Sequence, residues 1–214
     1  MIKVFFGAPG CGKSTAIAYF VSKHIKKYNK AMMKNKSYCY DYIFTNTDVD
    51  NANKFVKKQL DNMAFPPKSL VLIDEAGLEF NSRKTLSLTD GMQYYLKKHR
   101  HYQNDLYFFS QTWEDIDVVV SRLAVEVWHL KKLGPFTLVR RILKDADVNE
   151  DTHKIEDMYK KEPLYKKFLP YPFGSFSFFL IYRPKYYNMF NSWEIDSRPF
   201  IKGHKIKSVS ARPT

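Results

Sequence analysis

The stretch Gly7-Ala8-Pro9-Gly10-Cys11-Gly12-Lys13-Ser14 stands directly after the apolar run Val4-Phe5-Phe6 and directly before the helix-like Ala16-Ile17-Ala18-Tyr19-Phe20. It satisfies the phosphate-loop pattern in full and in the strand–loop–helix context that pattern requires. Glycine lets successive backbone N–H groups curl round phosphate oxygens with no Cβ in the way, and the helix that follows presents its positive end. Gly7, Ala8, Pro9, Gly10, Cys11, Gly12, Lys13, Ser14 and Thr15 are therefore expected to cradle a nucleotide. Lys13 is placed to reach β- and γ-phosphates, and the Ser14 hydroxyl to ligate magnesium. Pro9 fixes its own φ and gives up a donor that another position must supply. A turn that bound nothing would have no need of Lys13 and Ser14 at those positions.

A chain of 214 residues can bury one good core with a small appendage, so one α/β domain is expected. The net charge is +13, from 35 Lys and Arg against 22 Asp and Glu, which suits a polyanionic partner or an acidic membrane surface. The two cysteines, Cys11 and Cys39, do not make a disulfide framework, and a reducing compartment is the default. Because a strand begins at residue two, no secretory leader is expected. The longest apolar run, Phe173 to Tyr182, is interrupted by Gly174, Ser175 and Ser177 and falls short of the ~20 residues of a spanning helix. No membrane crossing is expected from this chain.

In chain order, strand Ile2–Phe6 and the phosphate loop lead into a helix over about Ser14 to Tyr28, with Ile17, Phe20, Val21 and Ile25 at helical spacing. A second strand is expected at Tyr38–Thr45, closing in the polar run Asn46–Asn51. Asn53–Met63 reads as a short helix that Pro66-Pro67 ends. Ser69-Leu70-Val71-Leu72-Ile73 is a continuous apolar run, as suits the covered centre of a parallel sheet, and it stops in Asp74 and Glu75. Alone, such a pair is a helix-start signal. Together with the phosphate loop, Asp74 is expected to hold magnesium and Glu75 to polarise the attacking water. A further buried-type strand, Asp105-Leu106-Tyr107-Phe108-Phe109, ends in Ser110 and Gln111. Gln111 is either the group that orients water and senses the γ-phosphate or an ordinary polar strand end. These features point to a P-loop NTPase three-layer sandwich with a mainly parallel central sheet of the additional-strand class.

Thr89–His101 reads as a helix closing in Lys97-Lys98-His99-Arg100-His101. That cluster can meet DNA phosphates, complement the helix dipole, or place Arg100 in a neighbouring subunit's site. Zinc ligation by His99 and His101 lacks further ligands at suitable spacing. After Trp113–Ser121 come Arg122 and two strand-like runs, Ala124–Leu130 and Phe136–Leu143, joined by a hairpin at Leu133-Gly134-Pro135. Residues 1–150 are taken as the ATPase domain, 151–195 as an irregular, aromatic-rich extension packed on the core, and 196–214 as a basic tail.

The order of these motifs resembles the zonular occludens toxin family, whose members include the assembly ATPases of filamentous phages, additional-strand ATPases of FtsK-HerA-like kind. The likeness is carried by Gly7–Ser14, Thr45-Asn46, Leu70–Ala76 with Phe80-Asn81-Ser82-Arg83, and His99-Arg100-His101. It continues through Asp105–Gln111, Asp115–Glu126 with Arg122, and Tyr186–Trp193. The resemblance implies a ring-forming ATPase in the host cytoplasm, peripheral to the inner face of the membrane. It implies ATP and Mg2+ as cofactors, and single-stranded DNA and phage coat or membrane assembly proteins as partners. Family members usually continue into a membrane helix and an external domain, which this sequence lacks. That leaves open delegated anchoring, a host without an outer membrane, or DNA packaging without extrusion. In such rings an arginine from the neighbour stabilises charge on the transferring phosphate. Arg83, Arg100 and Arg122 are the candidates, Arg122 first. Lys13, Glu75, Gln111 and Arg122 form the expected catalytic set, with Ser14 and Asp74 at the metal. A slow-turnover ATP-binding scaffold is the alternative; for a small-molecule kinase the sequence offers no arginine-rich lid.

Overall fold

Five short runs of β-branched and aromatic residues align in parallel at the centre of the molecule, and their spacing fixes where everything else sits. A computed structural model describes residues 1–55, 65–76, 89–144, 159–161 and 178–190. Its strands are β1 (Ile2–Phe6), β2 (Tyr42–Thr45), β3 (Asn53–Lys54), β4 (Ser69–Ile73), β5 (Asp105–Ser110), β6 (Glu126–Leu133), β7 (Phe136–Lys144), β8 (Tyr159–Lys161) and β9 (Phe178–Tyr182). They form one sheet in the order β3-β2-β4-β5-β1-β6-β7-β8, with β9 also on β7. From β3 to β6 all pairings are parallel, while β6–β7, β7–β8 and β7–β9 are antiparallel. Strand β5 lies between the phosphate-loop strand β1 and the acidic strand β4. This is the additional-strand arrangement expected from sequence.

All five residues of β4 are buried, as its unbroken apolar run requires of a strand covered on both faces. Alternate residues then serve different layers. Ile2, Val4, Val71, Ile73, Leu106 and Phe108 face α2 (Asp90–Lys98) and α3 (Val118–Leu123), meeting Met92, Leu96, Ile116 and Val120. Phe5, Leu70, Leu72, Tyr107 and Phe109 face α1 (Lys13–Met32) and pack on Ala16, Ile17, Phe20 and Val21. Phe5 stacks on Phe109 with ring centroids 4.8 Å apart. Each such buried ring contributes about 1.5–3 kcal/mol of apolar transfer energy.

Several boundaries differ from the sequence reading for physical reasons. Helix α1 runs four residues past Tyr28, because Asn29, Lys30, Ala31 and Met32 tolerate an exposed helical face; the chain leaves helical geometry at Asn35, whose φ is 51°. Strand β2 begins at Tyr42 rather than Tyr38, since Tyr38 and Tyr40 pack instead against His24 on α1. Where a helix is expected from Asn53, Asn53–Lys54 extends the sheet beside β2; residues 56–64 lie outside the described residues. Helix α2 is capped by the Thr89 hydroxyl, which accepts the Met92 N–H, and Arg122 lies within α3. The hairpin at Leu133–Pro135 forms as read, with Leu133 opposite Phe136. Within 151–195, Phe178–Tyr182 makes a regular strand along β7, followed by a 3-10 helix, Arg183–Met189.

His24 gives the α1 layer a pH dependence. The imidazole is buried, with Nδ1 2.7 Å from the Tyr38 hydroxyl. Burial, reinforced by Lys27 and Lys23 and opposed by Asp105, pushes its pKa from 6.5 down to about 4. The folded state therefore binds fewer protons than the unfolded chain between those values. Its stability is complete above pH 6.5 and is lost as pH falls towards 4, by about 1.4 kcal/mol per unit. In urea titrations the wild type should lose roughly 3 kcal/mol of unfolding free energy relative to His24→Gln as pH falls through that window; parallel pH profiles would show that His24 is not the titrating group.

Candidate functional site

Parallel strands deliver their following residues to one edge. Phe6 on β1 is level with Ser110 on β5 and with His129 on β6, and Ile73 on β4 is level with Phe108. The phosphate loop, the Asp74-Glu75 pair and Gln111 therefore emerge side by side at the carboxyl edge of the sheet.

The loop is held against this edge by its own backbone. The Gly7 N–H donates to the Ser110 carbonyl at 3.2 Å and the Cys11 N–H to Ala8 at 3.1 Å. Gly7 fits because a Cβ there would lie 2.4 Å from the Leu130 carbonyl oxygen. Gly12 caps α1 at φ 101°, a left-handed conformation that a side chain rarely adopts. The first turn of α1 carries no acidic residue, so the positive end of the helix dipole stays uncompensated at the loop. Lys13 Nζ donates to the Gly7 carbonyl at 2.9 Å and the Ala8 carbonyl at 3.4 Å, which lays the cation across the loop. The Cys11 thiol is buried, and burial raises its pKa, so it is packing rather than a nucleophile.

Asp74 lies opposite the loop. Its Oδ2 accepts the Ser14 hydroxyl at 3.4 Å and its Oδ1 accepts the Glu75 N–H at 2.9 Å. Asn46, just past β2, brackets its backbone: Oδ1 accepts the Asp74 N–H at 2.7 Å and Nδ2 donates to the Asp74 carbonyl at 2.9 Å. A side-chain amide thus extends the β2–β4 ladder by one rung and aims the carboxylate at Ser14. Burial raises the Asp74 pKa above 3.8, the Glu75 charge adds to this, and the Glu75 N–H, Lys13 and Ser14 oppose it. Glu75 itself is exposed, at φ 49°, a backbone strain of about 1–3 kcal/mol of the kind concentrated at functional sites.

Gln111 is exposed beside Gly7. Its neighbour Ser110 is buried, with a hydroxyl that lacks a hydrogen-bond partner among the described residues. Arg122 is exposed in the last turn of α3, three residues before Val125, whose N–H bonds Ile2 at the opposite edge of the sheet. It does not join the phosphate loop within this chain. Arg100 lies in the turn that precedes β5, also at that far edge, and Arg83 lies outside the described residues. Three residues that touch the site carry no local sequence signal for that role: Asn46, whose bracket is described above, and two on the far side of the loop. Thr137 Oγ1 donates to the Cys11 carbonyl at 2.8 Å, and Arg183 Nη1 approaches the Gly10 carbonyl at 3.4 Å.

Residues 3–150 match the family model of the viral superfamily 1 RNA helicase core domain. The chain belongs to this family. The helicase-core match ends before β8, so β9 and the 3-10 helix with Arg183 lie beyond it. No curated protein matches the chain. Among solved structures it is similar to the N-terminal domain of zonular occludens toxin from Neisseria meningitidis, at 18% identity, covering 74% of this chain and 98% of that one, with a TM-score of 0.48. It is also similar to the genome packaging NTPase B204 of Sulfolobus turreted icosahedral virus 2, in complex with ATP-gammaS, at 14% identity, with coverage of 65% and 91% and a TM-score of 0.44. A third is the flagellar accessory protein FlaH of Methanocaldococcus jannaschii, at 12% identity, 65% and 76% coverage and a TM-score of 0.43. The chain is thus a P-loop NTPase of the helicase-core family, and the family that its motifs resemble is represented among the structural neighbours.

The buried Asp74 charge sets stability against function. With its folded pKa raised, the folded state binds protons more tightly than the unfolded chain, so stability falls as pH rises from 3.8 through the raised value. Asp74→Asn removes the charge, keeps one oxygen to accept the Glu75 N–H and offers Ser14 an amide donor in place of an acceptor. Without nucleotide it should melt at or above the wild-type temperature at pH 8, while magnesium-dependent turnover disappears. A lower melting temperature would show that the carboxylate stabilises this fold.

Proposed function

We propose that this chain is a magnesium-dependent ATPase that couples hydrolysis to movement of single-stranded DNA during assembly of a filamentous phage. The observation that carries the reading is the meeting of Ser14 and Asp74 across 3.4 Å, with Lys13 lying over the same loop. A hydroxyl and a buried carboxylate are hard oxygen donors that suit magnesium. Bound there, the cation would neutralise charge on the β- and γ-phosphates. The loop N–H groups and Lys13 bind and orient the triphosphate. Asn46 fixes the direction of Asp74. Glu75, exposed at the edge, takes a proton from the attacking water, and the Gln111 amide holds that water in line. Arg122, at the far edge of its own subunit, serves the neighbour in a ring.

Support for a nucleic-acid track comes from the net charge of +13 and from the family, whose name is that of a viral helicase core. B204, a genome packaging NTPase, and the zonular occludens toxin domain are similar in fold. We place the protein in the host cytoplasm against the inner face of the membrane, with coat or membrane assembly proteins as partners. Among the described residues no helix is long and apolar enough to cross a membrane. Because the family model is of an RNA helicase core, single-stranded RNA is the specific competing track.

Steady-state ATP hydrolysis, with single-stranded DNA, with single-stranded RNA and with neither, tests the reading. Turnover is expected to rise with DNA and with protein concentration, and Glu75→Gln should lower it by roughly a hundredfold or more while ATP still binds. Stimulation by RNA alone would replace the DNA track. Tight binding with negligible turnover under every condition would leave an assembly scaffold in place of a motor.

A further inference from the structure

The phosphate loop has an outer wall of which the helicase-core match includes one part, β7, and not the other, the 3-10 helix. Strand β7 and the 3-10 helix lie against it, and each holds one loop carbonyl. The Thr137 hydroxyl, fully buried, donates to the Cys11 carbonyl at 2.8 Å. The Arg183 guanidinium bridges two loops, with Nη2 2.6 Å from the Gly134 carbonyl and Nη1 3.4 Å from the Gly10 carbonyl. The Arg183 N–H also bonds the Pro135 carbonyl at 3.0 Å. Contact is close: a Cβ on Gly12 would lie 2.2 Å from Thr137 Oγ1 and 3.2 Å from Arg183 Cδ.

Arg183 is itself well anchored. Residues 178–182 pair with β7. Beyond Arg183, buried Tyr186 packs edge-on against Tyr19 of α1 with centroids 5.9 Å apart, and the Met189 carbonyl accepts the Asp50 N–H at 2.9 Å. The segment is therefore a strap from the sheet edge, over α1, to the loop after β2.

In a planar trans peptide the C=O and the following N–H point in opposite directions. Fixing the Gly10 and Cys11 carbonyls on the outer wall therefore turns the N–H groups of Cys11 and Gly12 towards the inner side, where the Cys11 N–H already meets the Ala8 carbonyl. Donors on both carbonyls also polarise those peptides and strengthen their N–H groups as donors. We infer that Thr137 and Arg183 form a clamp that preorganises the phosphate loop, so that the strap at residues 178–190 sets the affinity for the nucleotide triphosphate. Both are positioning residues, and the inference rests on the NTPase reading above. The strap's Arg183 stands 173 positions from the carbonyl it holds and outside the family-matched span, whereas Thr137 lies within it, so the Arg183 half of the clamp is added from beyond the matched core.

Calorimetric titration of the full chain with a non-hydrolysable ATP analogue and magnesium tests it, alongside kcat, KM and nucleotide-free melting temperatures. Thr137→Val keeps the shape and removes the donor, Thr137→Ser keeps the donor, and Arg183→Ala removes the bridge. Thr137→Val should weaken binding about three- to tenfold, the net worth of its one buried hydrogen bond, and Arg183→Ala about the same, since a charged donor offsets the exposure of its bonds. KM should rise in step while kcat holds. Thr137→Ser should bind within about twofold of wild type. Unchanged binding in Thr137→Val and Arg183→Ala, or a Thr137→Ser variant as weak as Thr137→Val, overturns the clamp alone. A wild type that binds no analogue overturns the clamp together with the NTPase reading.

Discussion

Because β1, β4 and β5 run parallel and in register, the residues that follow them reach the same edge of the sheet, and every element of the site depends on that coincidence. Gly7 starts the loop where β1 ends, Asp74 closes β4, and Gln111 follows β5. A shift of one strand by one residue would turn Asp74 from the α1 side to the opposite face and separate it from Ser14. The buried rings of Phe5, Phe109 and Tyr107 on one side, and Val71, Ile73 and Phe108 on the other, penalise any such slip. Core packing thereby positions the residues of the candidate site.

The site is assembled at a cost to the fold. Asp74 is a buried carboxylate whose pKa burial raises, Glu75 sits in a left-handed conformation, and Ser110 keeps a buried hydroxyl without a hydrogen-bond partner among the described residues. Each would be eliminated by selection for stability alone. Their concentration within a few residues of the phosphate loop is the physical signature of a place arranged for a charged ligand. Asn46, Thr137 and Arg183 hold the backbone there, one on Asp74 and two on the loop.

The parts of this architecture that were legible in the sequence are those encoded locally. Gly7 to Ser14 is a contiguous pattern, the apolar run Leu70 to Ile73 announces a central strand, and the acids that end it carry their own chemistry. The placing of β5 between β1 and β4 was expected from the additional-strand class. What escaped is long-range. Thr137 stands 126 positions from Cys11 in a strand where a threonine is unremarkable, and Arg183 follows a run of aromatics in a segment that reads as irregular. Asn46 was visible as part of a resemblance, yet its two bonds to Asp74 need the register of β2 on β4. Tyr38 and Tyr40 look like strand residues because aromatic content is shared by strands and by rings packed on a helix. The motif Phe80 to Arg83, the tail from 196 to 214 and most of 151–195 lie outside the described residues.

The most direct measurement is the structure of the protein bound to magnesium and a non-hydrolysable ATP analogue. The β- and γ-phosphates are expected within the loop, contacted by its N–H groups and Lys13, with the cation on Ser14 and Asp74 in its coordination shell. A nucleotide bound elsewhere, or one held in the loop with Asp74 turned away from the cation, would contradict the assignment on which the whole site rests.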